Sequence, residues 1–115
     1  MNIKMDLSEK GLQMFFKDYQ IDALKAIWEH NELNSRQIWE AVGSDRISRA
    51  SIINFLEDAV ENGLLEKYEV TGKGGHRGIY RHKYTEPEFK QHIAEQIFSK
   101  LFREYPEASR KTIKK

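Results

Sequence analysis

The stretch Arg46–Gly63, RISRASIINFLEDAVENG, constrains the chain most, because it carries its own start, its own stop and two chemically distinct faces. Ser48 is placed to cap the first turn, since a serine oxygen accepts from the unpaired N–H groups two or three residues on. Asn62-Gly63 supplies a left-handed stop, after which Leu64 can pack back on Ala59. On a wheel of about 100° per residue, Ile52, Leu56 and Ala59 share one face with Phe55 and Val60 flanking, while Ala50, Asn54, Glu57, Asp58 and Glu61 fall opposite. One face is core and the other is free. Charge runs along this helix against its dipole, with Arg46 and Arg49 at the start and Glu57, Asp58 and Glu61 at the end. An N-terminal turn inserted into a major groove, with the acidic half pointing away from phosphate, accounts for the inversion; a solvated face with unselected charges accounts for it equally.

After Gly63 the hydrophobic period changes from 3.6 to 2. Leu65–Thr71 reads as a strand, GKGGHRG (residues 72–78) as a loop, and Ile79–Tyr84 as the returning strand with Tyr80, His82 and Tyr84 on one face. The result is a hairpin wing with a glycine-rich basic tip. Lys73, Arg77, Arg81 and Lys83 fall within Val70–Tyr84, where there is no acid. A dinucleotide-binding loop would need glycine in place of Arg77 and a helix directly after it, and the sequence offers neither.

Upstream, residues 5–16 suggest a short helix or ordered arm with Ser8 as a candidate cap; Gly11 weakens the helix, and Leu12, Met14, Phe15 and Phe16 need a surface to lie on. Asp18 is expected to cap a helix to His30 with Ile21, Leu24, Ile27 and Trp28 inward. A scrap of strand at Glu32-Leu33 leads to a second helix, capped by Asn34 or Ser35 and closed by Gly43, with Ile38, Ala41 and Val42 inward. Downstream, Thr85-Glu86-Pro87-Glu88 reads as a capping box opening a rod of about 30 Å that ends at Tyr105 before Pro106. Phe89, Ile93, Ala94, Ile97, Phe98, Leu101, Phe102 and Tyr105 sweep an arc of about 220°, against roughly 100° for a helix facing one core. So wide an arc calls for a second surface. A partner subunit on Phe89, Ile93, Ile97, Phe98, Leu101, Phe102 and Tyr105 would supply it, and so would the N-terminal arm folded over the helix within one monomer. The remainder, residues 106–115, reads as a basic frayed tail. In outline the chain is an arm (1–16), a three-helix domain with its wing (17–84), a long helix (85–105) and the tail.

Composition narrows the function classes. The 115 residues contain no cysteine, which removes disulfides, thiolate metal sites and cysteine nucleophiles. No apolar run approaches the roughly 20 residues of a membrane span, and the N-terminus is too polar for a signal peptide, so a soluble cytoplasmic protein is expected. The net charge of +1 is no signature of nucleic-acid binding, but its distribution is uneven. Residues 1–45 carry 5 bases and 8 acids, whereas residues 46–84 carry 7 and 5. His30, His76, His82 and His92 fall on separate elements and no nucleophile stands with a base, so neither an enzyme nor a metal or other cofactor is expected.

With IDALKAIW (21–28), LNSRQIWEAV (33–42) and ISRASIINFLEDAVENGLLEK (47–67), the chain resembles the penicillinase-repressor (BlaI/MecI-type) regulators over about residues 16–84, and more loosely is similar to MarR-type winged helices. Ser48-x-x-Ser51-Ile52, Leu56 and Gly63-Leu64-Leu65 look like that family's recognition helix and its exit into the wing. The implied fold is mainly α with a small β-hairpin (α+β), a winged helix-turn-helix with a long C-terminal dimerisation helix. The implied function is a homodimeric repressor of transcription that binds double-stranded DNA at a palindromic operator. Two departures stand out: one long helix and a tail replace the several C-terminal helices usual in the family, and the cysteines of its copper-sensing relatives are absent. On this basis Arg46, Ser48, Arg49, Ala50, Ser51, Ile53 and Asn54 are expected at DNA, with Arg49 able to pair with guanine, Asn54 with adenine, and Ile53 or Ala50 with a thymine methyl. Ser35, Arg36 and Gln37 are expected to hold phosphate, and Lys73, His76 and Arg77 to follow the backbone or minor groove. A winged helix used as a protein-interaction module, without DNA, is the alternative.

Overall fold

The computed structural model describes residues 4–72 and 75–114, with the side chain of His76 outside the description. Its helices are α1 (Asp18–His30), α2 (Ser35–Val42), α3 (Arg49–Glu61), α4 (Glu86–Glu104) and α5 (Pro106–Ile113). Three strands, β1 (Glu32–Asn34), β2 (Leu65–Gly72) and β3 (Gly75–His82), form one antiparallel sheet in the order β1-β3-β2. This is the α+β arrangement of a winged helix. The chain divides into two units, Met1–Thr85 and Glu86–Lys115.

In the first unit the apolar positions recurring at helical spacing form the core. Leu24 and Ile27 of α1, Ile38 of α2, and Ile52 and Leu56 of α3 are fully buried, and Leu64 and Leu65 carry the core into the sheet. Each such side chain contributes about 1.5–3 kcal/mol through removal from water. Ala41, expected inward, is exposed; the short α2 turns Ile38 and Val42 to the core and gives Trp39 the neighbouring place. The Trp39 indole donates to the Ile47 carbonyl at 2.8 Å, which pins the turn between α2 and α3.

The helix ends follow backbone chemistry closely. Asn34 caps α2 by accepting from Gln37 N at 2.8 Å, while Gln37 Oε1 accepts from Asn34 N at 2.9 Å. Ser48 caps α3, accepting from Ser51 N at 3.1 Å. At the other end Gly63 adopts φ 76° and Leu64 N donates to the Ala59 carbonyl at 2.8 Å, a bond that only a left-handed residue brings into reach. Asp18 does not cap α1: it is the first helical residue, where its charge suits the dipole, and Gln20 Oε1 instead accepts from Lys17 N at 2.9 Å. Ser8 is not a cap either, its N–H and hydroxyl both donating to Asp6. The arm forms a short 3-10 helix over Gly11–Met14, and Phe16 meets Phe55 of α3 edge-on with centroids 6.1 Å apart.

Two expectations change downstream. The wing loop is shorter than residues 72–78, because the ladder continues through Glu69↔Gly78, Val70↔Arg77 and Gly72↔Gly75 and leaves only residues 73 and 74 between the strands. Glycine weakens a strand but keeps its donor and acceptor, so the ladder passes through it. In the second unit the tail is helical: α5 leaves α4 at a corner at Tyr105 (φ −133°, ψ 66°), with Pro106 at its first turn. Ser109 N donates to Tyr105 O at 2.9 Å and Ser109 Oγ to Leu101 O at 3.0 Å, tying the corner.

Candidate nucleic-acid interface

The capped N-termini of α2 and α3 and the strand β3 bring together Asn34, Ser35, Arg36, Arg49, Arg77 and Gly78 around a polar cleft of about 350 Å³. Among the described residues no acid lines it. Arg36 also pairs with Glu40 at 3.1 Å, one turn on, with both side chains exposed. Neither the Arg49 nor the Arg77 side chain has an ion-pair or hydrogen-bond partner among the described residues.

Beyond the cleft, Ala50 and Asn54 of α3 are exposed, whereas Ser51 and Ile53 are half-buried. Three further expected residues have structural work. Gln37 closes the cap of α2, Ser48 caps α3, and Arg46 pairs with Asp22 of α1 at 3.0 Å while donating to the Val42 carbonyl at 3.3 Å. Lys73 and the His76 side chain lie outside the described residues.

A second cluster fixes the wing on α3. Glu57 Oε1 accepts from the Tyr80 hydroxyl at 2.6 Å and from Lys67 Nζ at 2.7 Å, so one carboxylate oxygen joins α3, β2 and β3. The bond from Lys67, then that from Tyr80, holds the Glu57 carboxyl below its ordinary range. Burial, reinforced by Glu57, pushes the Tyr80 phenol up to about 12. Gly78 leaves room for the lysine, since a Cβ there would meet Lys67 Cε at 2.6 Å. The sequence hinted at this cluster only through the inward alternation of Tyr80. Glu57 and Lys67 are ten residues apart, on a helix and a strand, and no local pattern links them.

In the second unit, Phe98, Leu101, Phe102 and Tyr105 of α4 line an apolar groove of about 220 Å³ with Ala108, Ser109, Thr112 and Ile113 of α5. Part of the wide apolar arc therefore faces α5. Phe89 and Ile93 are buried, Ile97 and Phe102 are half-buried, and Phe98 (53% exposed) and Tyr105 (63% exposed) remain open. Among the described residues no helix is long and apolar enough to cross a membrane, and no group of three acidic or histidine side chains is placed to hold a metal ion.

Residues 18–115 match the family model described as penicillinase repressor. Among solved structures, the chain is similar to a "possible transcriptional regulator" from Methanosarcina mazei Go1, with a TM-score of 0.58 and 13% identity over 80% of this chain and 78% of that one. At that identity the likeness concerns the fold. No curated protein matches the sequence.

Proposed function

The chain belongs to the penicillinase repressor family of DNA-binding transcriptional regulators, and from that premise we propose that it acts as a homodimeric repressor reading a palindromic operator. The observation that carries this reading is the arginine-lined surface formed by the starts of α2 and α3 and by β3, with no acid among its described lining residues. Residues 48–62 enter the major groove, offering Ala50, Ile53 and Asn54 to base edges, with Asn54 suited to adenine and the two apolar side chains to a thymine methyl. Ser35 and Arg36 at the start of α2, and Arg77 with Lys73 and His76 on the wing, bear on the sugar-phosphate backbone. The acidic second half of α3 points away from phosphate, which accounts for its charges running against the dipole.

Dimerisation through the second unit is supported by the apolar side chains that α4 and α5 leave open. Phe98, Leu101, Tyr105 and Ile113 are each more than two-fifths exposed, which is unusual for a cluster on one monomeric surface. Replacing Leu101 with Asp is expected to convert the dimer to a monomer in sedimentation while far-UV circular dichroism is unchanged.

The central test is binding to a pool of random duplexes across salt concentrations, followed by sequencing of the bound fraction. A steep fall of log K with log salt, together with an enriched inverted repeat whose half-sites lie about one helical turn or a multiple of it apart, is the expected result. Salt-insensitive or absent binding without enrichment would overturn it and turn attention to the α4–α5 groove as a protein-docking surface.

A further inference from the structure

Arg49 has the chemistry to pair with guanine, but its surroundings favour another partner. It lines the same cleft as Arg36 and Arg77, so arginines from three elements meet on one surface, and among the described residues only Arg36 is answered by an acid, Glu40. Like charges outnumbering their one exposed counter-ion repel one another, and an anion in their midst turns that repulsion into attraction. Arginine's fork of donors matches the oxygens of a phosphate in two-point contact. The neutral residues fit the same ligand. Ser35 brings a hydroxyl, and Asn34, whose Oδ1 is occupied by Gln37 N, retains its amide N–H groups as donors. The Arg36–Glu40 pair is an exposed i,i+4 contact of little strength, readily exchanged for phosphate.

We propose that this cleft seats a single DNA backbone phosphate, gripped jointly by Arg36, Arg49 and Arg77, so that Arg49 positions the recognition helix instead of reading a base. The proposal rests on the chain binding duplex DNA as described above, and it names the ligand group of one part of that interface. It also gives the shared phosphate a mechanical role: one phosphodiester ties the starts of α2 and α3 to the wing strand. Sequence preference is then left to Ala50, Ile53 and Asn54.

The test compares the salt slope and the enriched sequence of the full-length protein with those of Arg36→Ala, Arg49→Ala, Arg77→Ala and the triple variant, with circular dichroism and Tm confirming that each is folded. Neutralising one phosphate contributes about 0.9 to the slope of log K against log salt, and a homodimer carries two such clefts, so the triple variant is expected to lose about 1.8 in total, one phosphate per half-site. Arg49→Ala is expected to weaken all duplexes by one factor and leave the enriched sequence unchanged. In wild type, a neutral methylphosphonate at one equivalent backbone position of each half-site should reproduce the loss, and adding the pair to the triple variant should bring no further loss.

A triple-variant loss of about 5.4, three separate phosphates' worth in each half-site, would overturn the shared seat. A changed base at one operator position in Arg49→Ala would return that residue to base reading. Titration with inorganic phosphate supplies the other arm. Binding of free phosphate by wild type but not by Arg49→Ala, with duplex slopes unaffected by the same substitution, would give the cleft to a small phosphorylated ligand and also overturn the proposal. Absence of salt-dependent duplex binding by wild type would remove the DNA-binding reading itself, an outcome distinct from the others.

Discussion

Replacing Tyr80 with Phe isolates the bond that joins the wing to α3. The ring stays, 3% exposed, and only the hydroxyl that donates to Glu57 Oε1 at 2.6 Å is lost. A hydrogen bond to a charged acceptor contributes about 1.5–3 kcal/mol when its removal strands a buried partner. Glu57 is not stranded, because its side chain is 45% exposed and it keeps Lys67 at 2.7 Å. The expected loss therefore lies at or just below the lower limit of that range, about 1–1.5 kcal/mol. For a unit of this size that is a fall in Tm of roughly 4–12 °C. Thermal and urea unfolding of Tyr80→Phe, Glu57→Gln and the double variant at pH 7 would measure it, with the double falling short of the sum of the singles. Alkali gives an independent reading. Tyr80 is raised from 10.0 to about 12, so the stability it contributes is fully present below pH 10 and is lost as pH rises through about 12. Tyr80→Phe should lack that part of the alkaline loss. Additive single and double variants, or an alkaline limb identical to wild type, would refute the reasoning.

Other perturbations test separate links. The Glu57 carboxyl is held below 4.5 by Lys67 and then Tyr80, so its contribution is present above pH 4.5 and lost as pH falls through the lowered value; Glu57→Gln should flatten acid unfolding there. Gly63→Ala meets nothing within 4 Å yet must hold φ at 76°, so it should cost about 1–2 kcal/mol in urea unfolding from backbone conformation alone. Ile52→Ala empties a fully buried position and should cost about 2–5 kcal/mol, against under about 0.5 kcal/mol for the exposed Asn54→Ala.

The elements that could be read from the chain are those whose signal is local. Ser48 and Gly63 mark the ends of α3 through bonds made within a few residues, and the Ile52, Leu56, Ala59 stripe gives its buried face from periodicity alone. The wing was legible as a hairpin, but its length was not, since glycine carries little local preference for strand and the ladder across Gly78 is decided by the opposing Glu69. Helix α5 reads as a tail in the sequence because an eight-residue segment has little stability alone; in the fold it is held by the Tyr105 corner and by apolar contact with α4. The candidate site divides in the same way. Arg36, Arg49 and Arg77 are each visible in sequence, at a helix start or on a basic strand, while Gln37 and Arg46 look like equal candidates until their bonds to Asn34 and Asp22 are seen.

By itself, then, the sequence determined the order of helices and strands, the inward face of α3 and the basic character of the wing, because period, caps and glycine stops act over a turn or two of chain. Only the tertiary structure decided that one Glu57 oxygen holds Lys67 and Tyr80 together, and that three arginines spread over residues 36 to 77 line a single cleft. Those partners lie far apart along the backbone, and it is the packing of the helices on the sheet that brings them within reach.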